Sequence, residues 1–211
     1  MTAAPAGGLP HPFLRHNTAG SGTAFASIPP DHRERNGHTP AGKEDAIATL
    51  RPFASEDLDA LLDLSIRAWA PVFASLEQVL GSELFLRMHP DWRADQRQTV
   101  EHACRSEDVS VWVAESDRDV VGFVGITTDA AARVGEIYII AVDPAHQRSG
   151  VGTALTQLAL DELAEAGMTV AMVETGGDPG HAPARQLYER TGFTLLPIAR
   201  YFTALDAPNA Q

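Results

Sequence analysis

From about residue 46 onward the chain switches between two hydrophobic periods, and the switches lay out its elements. "AIATLRPF" predicts a short strand. "SEDLDALLDLSIRAWA" follows, with Leu58, Leu61, Leu62 and Ile66 on one helical face and Ser55 placed to cap it. Pro71 is expected to interrupt this helix, because proline removes an N–H and its ring crowds the preceding turn. "SLEQVLGSELFLRM" predicts a second helix, broken at Gly81, and "DWRADQRQTVEHACRS" a third, with Trp92 near its start.

The period then drops to two. "VSVWVAES" places Val109, Val111 and Val113 on one side, Asp117 to Asp119 supply a polar turn, and "VVGFVGITTD" returns as the second arm of a hairpin. "GEIYIIAVDP" is more apolar, as suits an interior strand, and Pro144 ends it. Residues 150–166 run in helical period through Val151, Ala154, Leu155, Leu158, Leu163 and Ala166, with Gly167 where a helix would stop. "TVAMVE" is a further strand. "HAPARQLYERTG" is a short helix with Pro183 in its first turn and Gly192 after its end. "FTLLPI" and "RYFTAL" predict closing strands. The strand–helix–strand unit from Gly135 to Glu174 predicts a right-handed parallel crossover. The expected fold is α/β, of the α+β kind: a mixed, mostly antiparallel sheet with helices on both faces.

Residues 1–45 break this pattern. They are rich in Gly, Pro, Ala and Thr, and their apolar positions keep no period. Such a segment buries too little to offset chain entropy, so a disordered tail is expected, followed by one folded domain over 46–206 and a short tail over 207–211.

Composition narrows the function classes. The formal charge of −12 disfavours phosphate-backbone binding, so no nucleic-acid partner is expected. Cys104 is the one cysteine; no intrachain disulfide can form, and its surroundings suggest a partly buried structural thiol. No apolar run reaches membrane-spanning length and no secretory leader is evident, so a cytoplasmic protein without membrane attachment is expected.

The chemistry concentrates at "HQRSGVG", residues 146–152, between a strand and a helix. Free N–H groups and the helix dipole at such a junction can hold phosphate. Gly150 and Gly152 open the backbone, Arg148 adds charge and Thr153 a hydroxyl. The spacing is neither a P-loop nor a dinucleotide fingerprint. Taken alone, the loop is equally a plain turn that needs a left-handed glycine.

The neighbouring segments resolve the choice. "VDPAHQRSGVGTAL" resembles the acetyl-CoA-binding segment of the GNAT acetyltransferases, in which Gln/Arg-x-x-Gly-x-Gly/Ala is filled here by Gln147, Gly150 and Gly152. "LRPFASEDLDALLDL" is similar to the family's first strand and helix, "GEIYIIAVDP" to its fourth strand, and "HAPARQLYERTGF" to its late helix. The resemblance covers roughly residues 46–206.

It implies a GNAT-like fold with splayed central strands and acetyl-CoA as acetyl donor. The cofactor arm would pair with the edge at Ile140, Ala141 and Val142. The pyrophosphate would rest on Gln147, Arg148, Ser149, Gly150, Val151, Gly152 and Thr153. His181 stands where many members carry an asparagine that contacts the cofactor arm. The resemblance also implies an N-acetyltransferase acting by direct attack of a primary amine, of a small molecule or peptide, with Glu136 as general base and Tyr188 as general acid. Trp69, Phe73 and Trp92 are candidates for the acceptor wall, and Glu174 for a substrate-positioning carboxylate or second base; ordinary core packing is the competing role for each aromatic. Asp178 with His181 does not make a metal site, and none is expected. A homodimer is open. The competing function is an acyl-CoA-binding sensor or partner module without turnover.

Overall fold

Five strands form one sheet in chain order: β1 (Thr49–Pro52), β2 (Ser110–Ser116), β3 (Asp119–Asp129), β4 (Val134–Val142) and β5 (Val170–Val173). A computed structural model describes residues 48–205. The expected tails, residues 1–45 and 207–211, lie outside the described residues. β1 to β4 pair antiparallel, and β4 with β5 pairs parallel, so the sheet is mixed and mostly antiparallel. The β2–β3 turn uses Asp117 (φ 52°) and Arg118 (φ 74°), both left-handed, which matches the twist of the strands they join.

Helices cover both faces. On one side α4 (Val151–Glu165) packs Val151, Leu155, Ala159 and Leu163 on Val124, Ile126 and Ile137. On the other, α1 (Leu58–Leu80) and α3 (Trp92–Arg105) pack Leu61, Leu64, Val100 and Ala103 on Val113, Phe123, Ile139 and Ala141. The alternation read from Val109, Val111 and Val113 points to this second side. Two shorter helices complete the set, α2 (Ser82–Met88) and α5 (Ala182–Arg190). Among the described residues no helix is long and apolar enough to cross a membrane.

Three expectations are corrected. α1 runs unbroken through Pro71. The proline forfeits one backbone bond, but Leu61 and Leu64 before it and Phe73 and Leu76 after it are all buried, and their packing holds one axis. The helix does break at Gly81, at φ 77°. Ser55 does not cap α1; it opens a short 3₁₀ turn in which the Asp57 carboxylate accepts the Ala54 N–H at 2.9 Å. Finally, residues 193–205 form no strand, and Leu195, Leu196, Ile198 and Tyr201 lie exposed. Pro197 removes a ladder donor in this stretch, and strand propensity without a partner strand stabilises nothing. The segment is held instead by Arg200 to Glu174 at 3.2 Å and by Arg87 Nη1 donating to the Leu205 carbonyl at 2.9 Å.

Candidate active site

The site begins where the sheet stops being continuous. β5 pairs with β4 only over Val134–Ile137, opposite Val170–Val173. β4 runs on to Val142 with β3 as its partner, so the backbone at Ile139–Val142 faces an opening on the β5 side. A bulge shapes the same stretch. Gly125 opposes Ile139 while Ile126 opposes Ile137, leaving Tyr138 as the extra residue. Tyr138 and Ile139 both pack on the α1/α3 side, and Ile140 turns back to the α4 side. The splayed strands implied by the family resemblance are present, with Ile140, Ala141 and Val142 on the open edge.

β4 leads into the loop before α4. Asp143 accepts the Ala145 N–H at 2.9 Å and pairs with Arg67 of α1 at 2.5 Å, bracing the loop's first turn. Gln147 Nε2 donates to the Val142 carbonyl at 3.2 Å, and Ser149 Oγ to the His146 carbonyl at 2.6 Å. Two residues are left-handed, Arg148 (φ 63°) and Gly150 (φ 95°). The first helical bond is Ala154 N–H to the Gly150 carbonyl at 3.0 Å. The amides of Val151, Gly152 and Thr153, in the first turn of α4, precede that bond and have no partner within the helix. First-turn donors at a helix start can hold an anion. Gly152 serves packing as well: a Cβ there would stand 3.3 Å from Leu187 Cδ2, where α5 approaches α4.

The chain after β5 carries a second constellation. Asp178 Oδ1 is hydrogen-bonded to His181 Nδ1. Its Oδ2 accepts from Ser75 Oγ of α1 at 2.7 Å and from the Gly180 N–H at 2.9 Å. The Asp178 side chain is 5% exposed and that of His181 16%. Burial alone would raise the Asp178 carboxyl, but the hydrogen bonds from Ser75 and His181 outweigh it and hold the group below the usual carboxylate range. Asp178 is thus an acceptor, and His181 Nδ1 carries the shared hydrogen. Arg185 Nη1 braces the loop by donating to the Gly176 and Asp178 carbonyls, at 2.5 and 2.9 Å. A Cβ on Gly176 would meet Asp178 Oδ1 and His181 Nδ1 at 2.5 Å, and one on Gly180 would meet Ser75 Cβ at 2.7 Å. The glycines of "GGDPGH" at 176 and 180 leave room for this cluster.

Glu136 and Tyr138 face the α1/α3 side of β4, as their spacing predicts, and Glu136 is 4% exposed. Burial and the nearby Glu136 push the Tyr138 phenol up. Tyr188 of α5 is 7% exposed, and its ring meets Phe193 edge-on at 5.8 Å. Burial raises its phenol well above the ordinary range, so it stays a neutral O–H donor. Phe73 lies in an aromatic cluster, stacked on Trp92 at 4.5 Å and edge-on to His89 and Phe85. It is 5% exposed, so core packing accounts for it; Trp69 and Trp92 are half-buried. Glu174 sits just past β5 and engages Arg200. Burial, reinforced by Asp57, pushes the Cys104 thiol up to about 11, as suits a structural thiol. Sequence reasoning missed Ser75, which stands in an apolar run 103 residues before its partner Asp178, with no local signal marking it.

A β4/β5 pair that parts midway beside the start of α4 is the arrangement that the family resemblance implies. The chain matches the model of the acetyltransferase (GNAT) family over residues 75–193 and belongs to that family. It is similar to a mycothiol acetyltransferase of Sanguibacter keddieii, 43% identical over 94 residues, covering 42% of this chain and 29% of that protein. It is also similar to one of Amycolatopsis mediterranei, 33% identical over 156 residues, covering 69% of this chain and 46% of that protein. The chain thus spans less than half the length of these curated relatives. Among solved structures, the ribosomal-protein-S18-alanine N-acetyltransferase of Escherichia coli matches with a TM-score of 0.52 at 22% identity, over 71% of this chain and 79% of that one. The PaiA N-acetyltransferase of Thermoplasma acidophilum, solved with coenzyme A, matches with a TM-score of 0.55 at 14% identity, over 72% of this chain and 92% of that one. These two likenesses are of fold.

Proposed function

We propose that this chain transfers an acetyl group from acetyl-CoA to a primary amine of a small molecule, by direct attack. The observation that carries the proposal is the first turn of α4, with the amides of Val151, Gly152 and Thr153 ahead of its first helical bond, opening beside the edge of β4 that β5 leaves unpaired. Together they fit the donor's two recognisable parts. The amides suit a pyrophosphate, with Arg148 adding charge, and the edge at Ile140, Ala141 and Val142 suits an amide-bearing arm that pairs like an added strand. Relatives named mycothiol acetyltransferase support a small-molecule acceptor.

The donor supplies a thioester carbonyl. The chain's residues do the rest. Glu136, on the acceptor side of β4, takes a proton from the attacking nitrogen. The backbone N–H of Ala141 or Val142 donates to the oxygen that gains charge. Tyr188, kept neutral by burial, donates its phenolic proton to the departing sulfur. Glu174, negative and half-exposed, attracts the cationic acceptor. No covalent acyl-enzyme is invoked, since Cys104 is held as a thiol.

The test is thiol release from acetyl-CoA over a panel of glucosamine, kanamycin, ethanolamine and an alanine-terminated peptide, beside calorimetric binding of coenzyme A. Release with a small amine is expected. Tight binding with no release on any amine would favour a sensor module instead; absence of binding would remove both.

A further inference from the structure

Acetylation of an ammonium sheds two protons from nitrogen, one before attack and one after the C–N bond forms. Only one of them ends on the leaving sulfur, so the other must reach solvent. Glu136 is 4% exposed and poorly placed to pass a proton outward. The Asp178–His181 pair has the opposite character. Asp178 is buried and has both oxygens committed: Oδ1 to His181, and Oδ2 to Ser75 and Gly180. His181 is less deeply buried, and among the described residues its Nε2 has no hydrogen-bond partner. With Nδ1–H fixed on the carboxylate, Nε2 carries the lone pair. This is the arrangement in which a carboxylate orients an imidazole to act as a base.

Its position suits that work. The 3₁₀ turn Pro179–His181 packs on α1 at Val72 and Ser75, one turn from Trp69 and beside Phe73, on the helix expected to wall the acceptor. His181 ends the 3₁₀ turn that leads directly into α5, the helix that carries Tyr188. The charged groups of this cluster are Asp178, which is hydrogen-bonded to the imidazole, and Arg185, which is engaged with the Gly176 and Asp178 carbonyls; Ser75 of α1 reaches the imidazole only through the Asp178 carboxylate. Ser75 bonds the carboxylate and not the imidazole, so the three do not form a nucleophilic serine arrangement.

We propose that His181, oriented by Asp178 and tethered through Ser75 to α1, is the base that deprotonates the acceptor ammonium before attack. An N–H bond of the ammonium breaks and an Nε2–H bond forms. The freed amine then attacks, its C–N bond forming as the C–S bond breaks; Glu136 receives the second nitrogen proton, Tyr188 protonates the sulfur, and the proton on Glu136 then passes to the Tyr188 phenolate, restoring both groups. The imidazolium, paired with Asp178, returns its proton to solvent at its exposed edge. His181 is the catalytic residue in this step, and Asp178 and Ser75 are positioning residues. The role rests on the acetyl-transfer reading above.

The test is the pH profile of kcat/KM, from about pH 6 to about pH 9.5, for wild type, His181→Asn, Asp178→Asn and Ser75→Ala, with the panel amine that turns over fastest. Loss of a base costs at least about 100-fold where the amine is protonated. His181→Asn should therefore lose about 100-fold near pH 6.5, then gain about tenfold per pH unit toward the amine's own pKa while the wild type levels off. Asp178→Asn should follow the same profile with a smaller loss, and Ser75→Ala with a smaller one still. Coenzyme A affinity should not change. A loss equal at every pH, in a variant that melts near the wild-type temperature, overturns the role of His181 and leaves acetyl transfer standing. A weakened coenzyme A affinity with an unchanged profile assigns His181 to the cofactor arm and likewise overturns it. If His181→Asn does not fold, the Asp178→Asn profile decides. A wild type without turnover on the whole panel overturns the acetyl-transfer reading and this role together.

Discussion

Gly135 exists to make room for Leu163. A Cβ built on Gly135 would stand 2.9 Å from Leu163 Cγ, and Leu163 is buried at 1% exposure in the α4 core. The contact fixes how closely α4 lies over β4 just before the strands splay. Gly135→Ala should destabilise the fold by about 1–3 kcal/mol through overpacking, and Leu163→Val in the same chain should recover part of the loss. Urea denaturation of the single and double variants checks this; a single variant as stable as wild type would show that the helix shifts freely.

Asp57 should govern acid stability. Its carboxylate is 6% exposed and takes hydrogen bonds from Arg51 at 2.7 and 2.9 Å and from the Ala54 N–H. The Arg51 hydrogen bond, against the cost of burial, holds it below the usual carboxylate range. A group depressed in the folded state stabilises above its unfolded pKa, near 3.9, and that contribution is lost as pH falls through the folded value. Asp57→Asn should therefore cost about 1–2 kcal/mol at neutral pH, discounted because Arg51 is about one-third exposed, and progressively less below about pH 4. Denaturant midpoints at neutral and acid pH measure the difference; an equal cost at both would remove the charge from the explanation.

Tyr188→Phe separates catalysis from packing. The ring contact with Phe193 survives the substitution, and only the O–H is lost. Turnover should fall about 100-fold or more with coenzyme A affinity nearly intact. Unchanged turnover would leave Tyr188 as a core aromatic alone.

Glu136→Gln should slow turnover about equally across pH, because the proton it accepts leaves nitrogen only after the C–N bond forms. Because Glu136 is buried, a melting curve must accompany the kinetics. A rate loss confined to low pH, where the amine is protonated, would make Glu136 the base for the ammonium in place of His181.

Cys104 should be nearly inert. With its thiol raised to about 11, little thiolate exists near neutral pH. Alkylation by iodoacetamide at about pH 8 should be slow in the folded chain and fast after unfolding. Equal rates would mean that the segment around α3 opens readily.

The site was unevenly legible in the amino-acid order. The strand-to-helix junction at 143–152 was readable because its signals are local: a strand stopped before Asp143 and Pro144, glycines at 150 and 152, and a helical period from Val151. Glu136 and Tyr138 could be placed on one face because strand alternation holds up to the bulge. The support of His181 was not readable. Asp178 lies nearby in sequence, but its other partner Ser75 comes from α1, and nothing in "VFASLEQ" distinguishes a buried serine from an exposed one. Phe73 was equally ambiguous, since an aromatic on an apolar helical face suits a pocket wall or a core, and the stack on Trp92 assigns it to packing.

What the amino-acid order determined by itself were the features that residues settle with their near neighbours. Gly81, Gly150, Gly167 and Gly192 take left-handed φ where helices start or stop, Asp91 caps α3, and the turn at Asp117 and Arg118 joins two alternating strands. Steric limits and single hydrogen bonds act within a few residues, so they can be read along the chain. Only the tertiary structure decided whether α1 survives Pro71, where β4 parts from β5, and whether "FTLLPI" and "RYFTAL" become strands. Those outcomes depend on burial and pairing with distant segments. A proline in a helix is tolerated when both flanks pack, and a strand-forming stretch stays irregular when no edge is paired to it.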